Sequence, residues 1–127
     1  MRKRLQNMLI ELGITPNLTG FDYICDMVEA ISEDKERTFQ ITQLYKKVGE
    51  KHGKNWSMVE RAIRHAISKA KTDSSAWGKY IVTTDKTNST VLYILAMRLS
   101  EEDCGSEEWY YLRIFKLHRT HKRRVAA

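Results

Sequence analysis

Ser57-Met58-Val59-Glu60-Arg61-Ala62-Ile63-Arg64-His65-Ala66-Ile67-Ser68-Lys69-Ala70-Lys71 has the pattern of a two-faced helix. Val59, Ala62, Ile63, Ala66, Ile67 and Ala70 recur at helical spacing, so they form one stripe that can be buried against the body of a domain. Arg61, Arg64, His65 and Ser68 then face outward. Ser57 is expected to cap the N-terminus by accepting a backbone N–H bond, with Glu60 completing a capping box. Upstream, Ile41 to His52 groups Leu44, Tyr45 and Val48 and is followed by Gly53, a residue suited to a left-handed C-cap. Helix, short turn, helix is the expectation for about residues 41–71.

Such an arrangement suits the helix-turn-helix, whose first helix crosses the phosphate backbone while the N-terminal half of the second enters the major groove. The charge agrees. Residues 46–71 hold Lys46, Lys47, Lys51, Lys54, Arg61, Arg64, Lys69 and Lys71 against only Glu50 and Glu60, a local charge of +6. A surface of that sign neutralises phosphates, although a charge run taken alone is more often solvated surface. The capped second helix, the Gly turn and two arginines at helical spacing tip the balance toward double-stranded DNA as partner.

The run Val59 to Ile67, preceded by Ile41-Thr42 and Leu44-Tyr45, closely resembles the C-terminal DNA-binding (effector) domain of the stage-zero sporulation protein A response regulator family. Leu12-Gly13-Ile14, Gly20-Phe21-Asp22-Tyr23, Ala30-Ile31 and Lys86-Thr87-Asn88-Ser89 look like further landmarks, in the family's order, and the likeness spans about Leu5 to Glu102. The resemblance implies an all-α domain of about five or six helices that binds short promoter boxes of TGTCGAA-like sequence. Glu60, Arg61 and Arg64 match the family positions that approach bases and nearby phosphates. The chemistry fits, since Arg reads guanine bidentately and Glu accepts from cytosine N4. Ser57, His65, Ser68, Lys69 and Lys54 are weaker phosphate-contact candidates; for His65, packing beside the first helix of the motif is an equal alternative. At Met58 the family usually carries an arginine, so one cationic contact is absent and the preferred box is expected to differ.

Length and composition are compatible with this reading. One domain is expected from 127 residues, with 42% hydrophobic and 30% charged residues enough for a modest core. That Pro16 is the single proline favours helices, since proline breaks their interiors. No apolar run approaches the roughly 18 residues of a membrane span, and Met1-Arg2-Lys3-Arg4 leads into no signal-peptide core, so a soluble cytoplasmic protein without membrane contact is expected. Cys25 and Cys104 stand far apart, without a CxxC pair or a histidine at ligand spacing, and are read as reduced structural thiols. Nothing calls for a metal or a cofactor. An enzyme is disfavoured too, because a nucleophile built from Cys25 with His52 or His65 has only composition behind it.

Elsewhere the pattern is dense in helices. Leu5, Met8, Leu9 and Leu12 mark a first helix over Arg2 to Leu12 with Gly13 as its C-cap. Thr19 or Gly20 opens a second, whose buried stripe is Tyr23, Ile24, Met27, Val28 and Ile31, and Ser32 to Thr38 reads as a loop. Around Trp77, Gly78, Tyr80, Ile81 and Val82 a short strand or an irregular loop is expected. Asn88 or Ser89 then caps another helix with Val91, Leu92, Leu95 and Leu99 on its core face.

Residues 1–105 are thus read as the DNA-binding domain and 106–127 as a basic C-terminal extension. Residues 110–127 carry +6 and no acid, the whole net charge of the chain. A docked helix bearing Trp109, Leu112 and Phe115 and a strand through Tyr110 to Leu117 are both open, and Arg119, Lys122, Arg123 and Arg124 are candidates for phosphate contacts without sequence preference. Only four residues precede Leu5, too few for the receiver domain that the resemblance would place there. If Met1 is the native start, control is expected from abundance, a partner or competition on DNA; in a fragment of a longer protein, receiver control would return. The resemblance adds two partner expectations, a second copy head to tail on DNA and a full-length response regulator. Two other readings stay open at this point: an interaction module using Trp109, Tyr110 and Tyr111, and general nucleic-acid binding, RNA included, through the aromatic, basic tail.

Overall fold

The periodic segments fold as helices in the computed structural model, which describes residues 2–34, 36 and 38–104, with side chains as far as Ser100. In chain order these are α1 (Arg2–Leu12), α2 (Thr19–Glu33), α3 (Ile41–His52), α4 (Trp56–Ser68), α5 (Ser75–Tyr80) and α6 (Asn88–Cys104), and no strand occurs among the described residues. The domain is all-α as expected. The tail candidates Arg119, Lys122, Arg123 and Arg124, and the Trp109 to Leu117 alternatives, lie outside the described residues.

Helix α2 is the hub, packing against α4 and α6 most extensively and also against α3 and α1. Its expected stripe of Tyr23, Ile24, Met27, Val28 and Ile31 is buried, joined by Phe21 and Cys25. Gly20 stands where α2 crosses α4. A Cβ there would lie 2.3 Å from the Ala62 carbonyl oxygen and 2.8 Å from Ala66 Cβ, distances at which backbone would have to move. Leu5, Met8, Leu9 and Leu12 of α1 close the core from one side, and Lys71 N donates to Leu12 O at 2.9 Å, tying the exit of α4 to the end of α1.

Three expectations need correction. Helix α2 runs on to Glu33, and the loop begins at Asp34, whose carboxylate accepts the Thr38 and Phe39 N–H groups at 2.8 and 2.9 Å. The segment around Trp77 is a short helix and neither strand nor irregular loop, because Ser74 Oγ accepts Trp77 N as an N-cap and Trp77 and Ile81 are buried together. Trp77 Nε1 also donates to Thr83 O at 2.7 Å, which pins the following turn. Finally, α6 buries far more than one face: Tyr93, Ile94, Ala96 and Met97 join Val91, Leu92, Leu95 and Leu99. A helix apolar around most of its surface belongs inside.

One buried charge ties three helices together. Asp26 on α2 is 7% exposed and accepts bonds from Arg2 Nη1 of α1 at 3.0 Å and from Lys51 Nζ of α3 at 3.1 Å, with His52 Nε2 on its other oxygen. Burial raises the carboxyl's proton affinity, but the bonds from His52, Arg2 and Lys51 outweigh it and hold Asp26 below the usual carboxylate range. A depressed folded-state value means that the stabilisation is present above the unfolded value, near pH 4, and is lost as pH falls through the folded one.

Two stability predictions follow from this packing. Gly20→Ala gains about 0.5 to 1 kcal/mol of helix propensity but must displace the α4 backbone, so a net loss of about 1 to 3 kcal/mol is expected in urea unfolding. Asp26→Asn is expected to cost about 1 to 2 kcal/mol at neutral pH and to flatten the loss of stability below about pH 4, read from melts across pH. An unchanged acid limb would assign that slope to other carboxylates.

Candidate nucleic-acid interface

The turn between α3 and α4 is built by three residues. Gly53 adopts the left-handed conformation at φ 68°, and Lys54 N donates to Gly49 O at 2.8 Å, so α3 ends where the glycine allows the chain to reverse. Asn55 then caps α4: its Oδ1 accepts Met58 N at 2.9 Å and the Ser57 hydroxyl at 2.7 Å. This corrects the expectation for Ser57, which sits inside the helix and donates to the cap. Asn is as good a cap as Ser, and choosing Asn55 adds Trp56 to the helix start. A reciprocal capping box does exist, but at α3, between Gln40 and Gln43.

From this start α4 lays Val59, Ile63, Ala66 and Ile67 into the core and turns Arg61, Arg64, His65 and Ser68 to solvent. Lys54 in the turn and Lys69 just past the helix end are exposed as well. Ser57 is half-buried. Glu60 is half-buried too, and instead of capping it lies 3.5 Å from Arg64 Nη2 through one oxygen and 3.4 Å from Asn88 Nδ2 through the other. The i, i+4 pair with Arg64 is largely exposed and worth a few tenths of a kcal/mol at most, so the Arg64 guanidinium remains able to exchange partners.

Two grooves run along the flanks of α4. The one beside α2, of about 580 Å³, is lined by Tyr23, Lys54, Met58, Arg61 and His65. The other, of about 650 Å³, lies toward α6 and is lined by Trp56, Glu60, Arg64, Lys86 and Asn88. His65 is exposed on the first groove and does not pack as a core histidine. The cationic run upstream is partly committed to structure: Lys51 bonds Asp26 and Lys47 sits 3.8 Å above the Phe39 ring. Lys54, Arg61, Arg64 and Lys69 are exposed on or beside α4, and the half-buried Lys86 lines its second groove.

Asn88 gave no functional signal in the sequence, yet its Nδ2 donates to Glu60 O at 3.0 Å and to the Tyr45 hydroxyl at 3.2 Å. The first residue of α6 therefore fixes the separation of α3 and α4. The sequence marks it as a family landmark and a candidate cap but not as a bridge, because the partners lie on other helices. Trp56, 43% exposed in the first turn of α4, is unmarked in the sequence, and Met58, 47% exposed beside it, is marked there only as the place of a missing family arginine.

The remaining chemistry is sparse. Cys25 is buried, and burial in the core pushes its thiol up to about 11, so it stays protonated and is no nucleophile. His52 is bonded to Asp26 and meets the Tyr23 ring edge-on at 4.9 Å. Among the described residues no group of three or more metal-ligating side chains occurs, and no helix is long and apolar enough to cross a membrane.

No solved structure matches the chain. The model of the family described as "Sporulation initiation factor Spo0A C terminal" matches residues 5–99, which takes in most of α1, all of α2 to α5 and most of α6. The chain therefore belongs to the Spo0A C-terminal family of DNA-binding domains from sporulation regulators.

Proposed function

We propose that this chain is a sequence-specific transcription regulator that lays α4 in the DNA major groove. The observation that carries the reading is the exposed pair Arg61 and Arg64, on a helix anchored at its back by the Gly20 crossing and the Asn88 bonds. A guanidinium presents paired donors that match guanine O6 and N7, and a rigid helix keeps such a fork aimed. Glu60, held between Arg64 and Asn88, supplies an acceptor for cytosine N4 once Arg64 turns to DNA. Lys54, Ser57, His65, Ser68 and Lys69 border these readers and are assigned to phosphates. Arg119, Lys122, Arg123 and Arg124 add contacts that follow charge alone.

Direct readout and charge attraction separate by mutation. Arg61→Ala is expected to lose about 1 to 3 kcal/mol on a preferred duplex and to relax base preference, while Lys54→Ala and Lys122→Ala weaken all duplexes alike and lower the salt slope by about one. Titrations of the three variants on specific and scrambled duplexes make the comparison. Equal losses on both duplexes for Arg61→Ala would mean that Arg61 serves only phosphates.

A further inference from the structure

The exposed large hydrophobics among the described residues are Ile10, Trp56, Met58 and Val82, and two of them occupy the first turn of α4, the part of a recognition helix that enters the groove deepest. Met58 N is held by the Asn55 cap, so the side chain projects from a fixed backbone. It shares a groove with Lys54, Arg61 and His65, three and seven residues separating it along the helix from the last two. Trp56 faces the opposite groove, beside Lys86 and Asn88.

Met58 has no hydrogen-bond donor and only a weak acceptor in its thioether. Placed over guanine, adenine or cytosine, it would strip water from base-edge groups and return nothing. The major groove displays one apolar group, the C5 methyl of thymine, and a flexible, polarisable thioether packs well against a methyl. Charge complementarity selects DNA over an apolar protein as the occupant, since any partner covering Met58 must also cover Lys54 and Arg61, which a polyanion satisfies and an apolar surface leaves buried without partners.

We propose that Met58 is a specificity-determining residue that packs on a thymine methyl next to the bases read by Arg61, an assignment that rests on the base-reading role given to α4 above. The contact selects by shape and desolvation and adds no charge, so it sharpens sequence preference without steepening the salt dependence.

The test starts by letting the intact protein select its preferred sequence from randomised duplexes, then replaces each thymine of that sequence in turn with deoxyuridine, which deletes only the methyl. At one thymine the wild-type protein is expected to weaken about three- to fivefold, the effect of one methyl group. Met58→Ala should be insensitive to that replacement, and Met58→Leu, apolar and of similar size, should keep the sensitivity. A selected sequence lacking thymine at the site, or a deoxyuridine effect that persists in Met58→Ala, overturns the assignment while leaving the DNA-reading proposal standing. No selected sequence at all overturns both. Retained helical content and a retained urea midpoint in Met58→Ala confirm that a loss on DNA is not a loss of folding.

Discussion

Helices α2 and α4 meet at a distance that excludes a methyl group. The space at Gly20 is filled by the Ala62 carbonyl and the Ala66 side chain, and this crossing sets the seat of α4 relative to the hub of the core. Small residues on α4 answer the missing side chain on α2, and the larger Val59, Ile63 and Ile67 fill the core on either side. Close-packed interiors transmit small displacements and do not absorb them. An angular shift of α4 at this contact would therefore re-aim Arg61 and Arg64, which no local rearrangement of the exposed face could correct.

Charge is divided between two duties. The Asp26 centre draws Arg2, Lys51 and His52 inward and binds α1, α2 and α3 to each other, while Lys54, Arg61, Arg64 and Lys69 stay on the open side of the motif. A buried carboxylate with several donors holds geometry firmly because removing any partner leaves charge uncompensated. The outward cations have the opposite requirement, since long side chains in water must remain able to turn to phosphates or bases. Asn88 stiffens the spacing of α3 and α4 through the Tyr45 hydroxyl and the Glu60 carbonyl, beside the Glu60–Arg64 pair.

Much of the fold was legible in the sequence because the apolar periodicity is strong. The bounds of α1 and α3 and the glycine that ends each follow from Leu5, Met8, Leu9 and Leu12 and from Leu44, Tyr45 and Val48. Errors arose where two local rules competed. Ser57 and Asn55 are both good caps, and only the folded chain shows that Asn55 is used. Trp77, Tyr80, Ile81 and Val82 have strand-like side chains, but the Ser74 cap and burial against α1 and α6 favour one helical turn and a half. Contacts between distant segments were illegible in principle: the Gly20 crossing, the Asp26 centre and the Asn88 bonds each need a partner on another helix. For the interface, spacing alone exposed Arg61, Arg64 and His65, whereas Trp56 carried no polar signal and emerged only from its exposure, and Met58 stood out in the sequence only as a missing family arginine, not as an apolar contact.

The role proposed for α4 is to read bases and not merely to present a cationic surface. Fluorescence anisotropy of the intact chain on a duplex carrying a TGTCGAA box and on a scrambled duplex, at a low and a high salt concentration, tests that most directly. The prediction is that the box binds tighter by about tenfold or more at the higher salt, where phosphate attraction is weakened and base contacts decide. Equal and weak binding to both duplexes, released together by salt, would contradict it.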